Sequence, residues 1–189
     1  MYMDEEIKKA TEVLKKGGTI LYPTDTVWGI GCDATNSKAV NKIYKLKVRV
    51  PYKSLIILVL DKNELQKYVT NVPEFAYDLI DCVDEPLTVI YKKGRNVAKD
   101  VIAPDGSIAI RIPDNQFCQK LLKLFGKPIT STSANISGDE TPISFGKISE
   151  EIKNSVDYVV KSDRFVVSRP RPSTIVKVLD NGEIEIIRN

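Results

Sequence analysis

The sequence predicts an α/β fold with a mixed sheet and flanking helices, and three observations carry that prediction. Segments with helical period interleave with segments of strand character along the chain. Asp180-Asn181-Gly182 is a strong hairpin signal, so the sheet is not wholly parallel. No internal repeat, low-complexity tract or linker interrupts the 189 residues, which read as one domain, 1–189.

Residues 4–16 predict the first helix, with Ile7, Ala10, Val13 and Leu14 on one stripe and Gly17-Gly18 as the stop. A short apolar strand, Thr19 to Leu21, then runs into Tyr22-Pro23-Thr24-Asp25-Thr26-Val27-Trp28-Gly29-Ile30-Gly31. Pro23 interrupts its ladder, and the resulting bend leaves three polar side chains available to a ligand. Gly29 and Gly31 allow close backbone approach or positive φ. Asn36 or Ser37 caps a second helix carrying Val40, Ile43, Tyr44 and Lys47 on one face, and Pro51 ends it.

Leu55 to Leu60 suits a strand buried on both faces. Asp61-x-x-Glu64 reads as a capping box for a short helix with Leu65, Tyr68 and Val69. Phe75, Ala76, Leu79 and Ile80 form another helical stripe, Leu87 to Tyr91 a strand, and 92–104 a loop ending in the turn Pro104-Asp105-Gly106. Ser107 to Ile112 alternates strictly, so Ser107, Ala109 and Arg111 share the face opposite the isoleucines. Asp114 caps a helix with Phe117, Leu121, Leu122 and Phe125, closed by Gly126. Pro128 to Asn135 is a polar stretch in which, if it is extended, Ser131, Ser133 and Asn135 share one parity. Ser144 begins a helix with Phe145, Ile148 and Ile152, and Asp157 to Val160 is a strand. Ser168-Arg169-Pro170-Arg171-Pro172-Ser173 is a stiff basic loop, followed by the hairpin strands Thr174 to Leu179 and Glu183 to Ile187.

Composition narrows the chemistry. No apolar run reaches membrane-span length and the charged N-terminus lacks a signal-peptide core, so no membrane role and a cytoplasmic location are expected. Cys32, Cys82 and Cys118 stand far apart in odd number and read as small core residues, not a disulfide framework. The chain has no histidine, which excludes Ser-His and Cys-His nucleophile systems and argues against a protein metal site. A net charge of +3 does not by itself indicate nucleic-acid binding. Neither G-x-x-x-x-G-K-[ST] nor a post-strand G-x-G-x-x-G is present. The chain offers cations and hydroxyls instead. Lys47, Arg49 and Lys53 lie in one segment that, alone, reads as a solvated patch; Ser131, Ser133 and Asn135 alone read as a polar strand. Arg111 stands out because it interrupts an isoleucine-rich strand, and buried arginine calls for an anion.

The ordered set Tyr-Pro-Thr-Asp-Thr-Val-Trp-Gly, Lys-x-Arg, Ala-Ile-Arg-Ile-Pro, Ser-Ala-Asn-Ile-Ser-Gly and Ser-Thr-Ile-Val resembles YrdC, the threonylcarbamoyl-AMP synthase family, from about Gly17 to Val178. The resemblance implies a twisted α/β sheet with a concave, positively charged face. It implies a nucleotidyltransferase that converts L-threonine, bicarbonate and ATP, with Mg²⁺, to threonylcarbamoyl-AMP and pyrophosphate. The product would pass to a threonylcarbamoyl transferase that modifies adenosine in tRNAs reading ANN codons. Carried over by motif, Thr26, Arg111 and Ser131 would contact threonine, and Arg49, Lys53, Ser107, Ser133, Thr141 and Ser173 would contact ATP. Lys47, Arg49, Ser133 and Asn135 match the family's signature quartet. On this reading Arg111 forks onto the threonine carboxylate, and the cations near 47 to 53 offset charge on departing pyrophosphate.

Three features depart from the pattern: Trp28 for the usual tyrosine, Leu58 for a histidine of some members, and Lys161-Ser162-Asp163 with Arg169-Pro170-Arg171-Pro172 in the region before Ser173. The C-terminal extension domain of longer members is absent from this sequence. Two rivals stand beside the synthase. One is a module that uses the same basic concavity for tRNA or double-stranded RNA. The other is a carbamoyl-transfer domain of the hydrogenase-maturation type, whose extra domains this length does not hold.

Overall fold

A nine-stranded mixed sheet organises the described residues, which are 2–48, 55–162, 172–179 and 181–189 of a computed structural model. Helix α1 (Tyr2–Lys15) buries Ile7, Ala10 and Leu14, as its period predicts, and Gly17 at φ +73° ends it. Its Glu6 is also buried. That carboxylate accepts from the Tyr158 hydroxyl at 2.8 Å and the Lys161 backbone N–H at 2.7 Å.

Strand β1 (Thr19–Tyr22) pairs antiparallel with β2 (Gly29–Cys32), so the polar bend is the turn of a hairpin. The second limb has no alternation to announce it. Of the two roles open to Gly29 and Gly31, the structure uses close approach, since neither has positive φ. A Cβ on Gly31 would lie 2.3 Å from the Thr130 carbonyl oxygen and 2.9 Å from the Tyr22 ring. Helix α2 (Ser37–Leu46) takes Asn36 as its cap and ends on Lys47.

Strand β3 (Ile56–Leu58) is shorter than its apolar run. A 3-10 turn precedes the four-residue α3 (Leu65–Tyr68), and the capping box is displaced: Glu64 accepts from Leu60 N–H, not from Asp61. Helix α4 (Glu74–Cys82) and strand β4 (Leu87–Tyr91) follow. The stretch read as loop over 92–104 contains a 3-10 turn, Lys99–Val101. Strand β5 (Ile108–Arg111) leads to α5 (Gln116–Phe125), which is capped by Asn115. Asp114, the expected cap, instead gives its N–H to Asp25 Oδ2 at 3.2 Å. Strand β6 (Ile129–Ser133) is as read, whereas the helix expected from Ser144 is a 3-10 turn followed by α6 (Glu150–Ser155), capped by Ser149. Strands β7 (Tyr158–Val159), β8 (Thr174–Val178) and β9 (Ile184–Arg188) complete the sheet. Cys32 and Cys118 are buried as expected, but Cys82, at the end of α4, is exposed.

The strand order is β7-β1-β2-β6-β3-β5-β4-β8-β9. Pairs β1/β7, β3/β5 and β4/β8 are parallel and the rest antiparallel, which is the mixed sheet expected. Among the described residues no helix is long and apolar enough to cross a membrane. Pro51 and the segment 168–171 lie outside the described residues, as does Asp180 of the hairpin turn.

Candidate active site

Strand register decides which side chains share a face. One row runs Ser131, Ile56, Ala109, Ile90 across β6, β3, β5 and β4. The next runs Leu58, Arg111, Thr88, Ile175, Arg188 across β3, β5, β4, β8 and β9. Cross-strand partners point to one side of a sheet. Both rows therefore face the same hollow, a cavity of about 290 Å³ lined in part by Thr26, Arg111, Ser131, Ser133, Thr141 and Ser173. These positions span more than a hundred residues of chain, and the sheet brings them together. Leu58 joins the row beside Arg111 but is fully buried.

The β1–β2 turn supplies one wall. Thr24 Oγ1 accepts from Thr26 N–H at 3.0 Å and donates to the Val27 carbonyl at 2.7 Å, which fixes the bend. Thr26 Oγ1 then accepts from Arg111 Nη1 at 3.0 Å. Arg111 is 4% exposed, and its Nη2 lies 3.3 Å from Asp25 Oδ1. The anion that a buried arginine demands is thus Asp25, from the same turn. Asp25 Oδ1 has no hydrogen-bond partner of good geometry among the described residues, so the pair is an ion pair without a well-formed bond.

The end of β6 supplies the second wall. Lys47, 2% exposed, donates from Nζ to the carbonyls of Ser133 and Asn135, both at 2.6 Å, and lies 3.3 Å from Asn135 Oδ1. Ser133 Oγ donates to Asn135 Oδ1 at 2.5 Å, and Asn135 Nδ2 donates to the Asp139 carbonyl at 2.7 Å. Lys47, Ser133 and Asn135 therefore form one interlocked group. The ammonium holds the β6 end and the following turn in shape.

Ser107 shares the Arg111 face but donates its hydroxyl to Asp105 Oδ1 at 2.6 Å and is not among the cavity's lining residues. The Ser107 side-chain and backbone bonds hold the Asp105 carboxyl below its usual range. Ser173 does line the cavity; its hydroxyl lies 2.8 Å from Thr88 Oγ1. Arg49 and Lys53 lie outside the described residues, as do Arg169 and Arg171.

Sequence reading missed two residues of the site. In the sequence Asp25 is one of three polar side chains of the bend, and Arg188 lies beyond the last predicted strand. In the structure it grips the Ser173 carbonyl from Nη2 at 2.8 Å and lines the cavity. A bulge at Ile175/Val176 puts it there: the ladder pairs Val176 with Ile186 but Ile175 with Arg188. Without the extra residue Arg188 would point to the other face. Burial, and then repulsion from Arg111, holds the Arg188 guanidinium below its ordinary value. Two guanidinium groups thus face one hollow, and Asp25 is paired with Arg111. Such an arrangement can fork onto one or two anions, with hydroxyls from Ser131, Ser133 and Thr141 to orient them.

A family model designated Sua5_yciO_yrdC, described as telomere recombination, matches residues 12–189. The chain is 42% identical over 188 residues to a putative threonylcarbamoyl-AMP synthase of Methanocaldococcus jannaschii, covering 97% of this chain and 87% of the relative. It is 31% identical over 188 residues to the threonylcarbamoyl-AMP synthase of Vibrio cholerae, covering 96% and 100%. The crystal structure of P. abyssi Sua5 complexed with L-threonine superposes with TM-score 0.82 at 27% identity, over 91% of this chain and 50% of that one. This chain therefore spans about half the length of that Sua5 structure.

Proposed function

The chain belongs to the Sua5/YciO/YrdC family, and from that premise we propose that it is a threonylcarbamoyl-AMP synthase and that the cavity under Arg111 is its catalytic centre. The observation that carries the reading is the Arg111 fork, buried and seated on Thr26, opening onto a hollow edged by Ser131 and Ser133. Its chemistry matches the amino-acid carboxylate of threonine.

The amine nitrogen of threonine adds to the carbon of bicarbonate with loss of water, giving a carbamate. A carbamate oxygen then displaces pyrophosphate from the α-phosphorus of ATP. Arg111 and Thr26 hold the threonine end, with Ser131 beside them. Arg188, Ser133 and Thr141 meet phosphate oxygens, and Arg49 and Lys53 add to that charge from the neighbouring segment. Lys47 keeps Ser133 and Asn135 in register for the transfer. Mg²⁺ bound to ATP would offset charge on the triphosphate oxygens, while the site's guanidinium groups, which donate to anions and do not ligate a cation, and its hydroxyls would hold the phosphates. Positioning and charge do the work, with no general base required of the chain. The product is a mixed anhydride, so a threonylcarbamoyl transferase must consume it, and adenosine of tRNA is the acceptor.

The test is pyrophosphate release with ATP, Mg²⁺, bicarbonate and threonine, with mass spectrometry of the adenylate. Release that stops when threonine or bicarbonate is omitted, with a threonylcarbamoyl-AMP mass, is expected. Release indifferent to threonine overturns the reading.

A further inference from the structure

The residues of β4 and β5 that face away from the proposed catalytic cavity line a second and larger one, of about 600 Å³. Along β4, Leu87, Val89 and Tyr91 face it, while Ile90 faces the first. Its floor is apolar, made by Leu65, Ile80, Val89 and Ile110. Its rim is acidic, made by Asp25, Asp81, Asp84, Glu85 and Asp114, of which Asp25 pairs with Arg111 and Asp81 with Lys62, and no lysine or arginine is among its described lining residues. Tyr91 is 1% exposed, and its hydroxyl has no hydrogen-bond partner among the described residues. A buried hydroxyl left unpaired destabilises the fold unless something arrives to satisfy it.

We propose that this cavity is a second binding site and that its ligand is a small amphiphilic cation of the aliphatic polyamine class. Methylene segments cover the apolar floor, ammonium groups meet the rim carboxylates, and the Tyr91 oxygen takes one amine N–H. A bare metal ion would leave the floor unused. A neutral apolar ligand would strip water from the acidic rim without replacing it. Asp25 belongs to this rim and also pairs with Arg111 at 3.3 Å. An ammonium drawn to Asp25 weakens that pair, so occupancy of the second cavity reads across to the first. This last step rests on the synthase reading; the binding itself does not.

The experiment is calorimetric titration of the full chain with spermidine, with no nucleotide or threonine present, so that failure of the synthase reading leaves it untouched. One saturable site is expected, with spermidine tighter than 1,3-diaminopropane because the longer chain covers more floor. Asp84→Asn with Glu85→Gln, both exposed positions, should weaken binding about tenfold. Glu5→Gln with Glu12→Gln, exposed on α1, should leave it unchanged. Tyr91→Phe should weaken it a few-fold, with circular dichroism confirming the fold. No saturable binding overturns the proposal, as does an equal loss in the α1 variant or equal competition by Mg²⁺. With the synthase reading intact, spermidine should also shift the threonine KM in the wild type but not in the Asp84/Glu85 variant.

Discussion

Arg111 and Lys47 are both buried cations, and they differ in what satisfies them. Arg111 shares one carboxylate and one hydroxyl and keeps donors for a substrate carboxylate. Arg111→Ala should raise the threonine KM roughly ten- to a hundredfold, the span of a charged hydrogen bond. Arg111→Lys should not rescue it, because a point charge cannot replace the fork; steady-state kinetics on threonine checks both. Lys47 is committed to the Ser133 and Asn135 carbonyls. Lys47→Ala should therefore lower kcat and also cost about 1–3 kcal/mol of stability, since it leaves buried acceptors unpaired; an unchanged urea midpoint would refute the holding role. Strand alternation made Arg111 legible in the sequence. Its counter-ion was not legible, because Asp25 approaches from a turn 86 positions away in the chain.

At the level of elements, the hairpin of β1 and β2 works because its second strand is slim. Gly31→Ala would set a methyl against the Thr130 carbonyl and the Tyr22 ring. Backbone cannot give way cheaply, so the variant should lose about 1–3 kcal/mol and bind threonine more weakly through the shifted Thr26 turn. Retained Tm and KM would contradict this account. At the other side of the sheet, the β8–β9 bulge presents Arg188. Arg188→Gln should raise the ATP KM more than the threonine KM, with little loss of stability because the residue is exposed. Strands with unbroken runs, such as β4, were readable to the residue. Strand β2 and the bulge were not: one has four residues and two glycines, and the other is a counting offset between two strands that only pairing reveals.

Over the whole molecule, alternating helices and strands plus one turn motif sufficed for a mixed sheet, but not for its order, which depends on crossovers. Among the described residues, Asp157 and Asp105 contribute to its acid sensitivity. Burial raises the Asp157 pKa, yet bonds from the Thr19 N–H and hydroxyl, with Lys42 nearby, outweigh it and leave a net lowering; Asp105 is lowered by Ser107. Folded values below the ordinary 3.8 add stability above that pH and lose it as pH falls through the folded values. Urea midpoints should thus drop below about pH 4, and less steeply in Asp157→Asn.

Glu6 stitches the opening helix to β7, the outermost strand on that side. The family model matches from residue 12. Trimming the protein to that boundary would unpick the stitch and bare the β1 margin, an invitation to strand exchange between molecules. Clumping of the trimmed variant on gel filtration, absent in the full chain, is the expected sign that the matched segment starts inside the working unit.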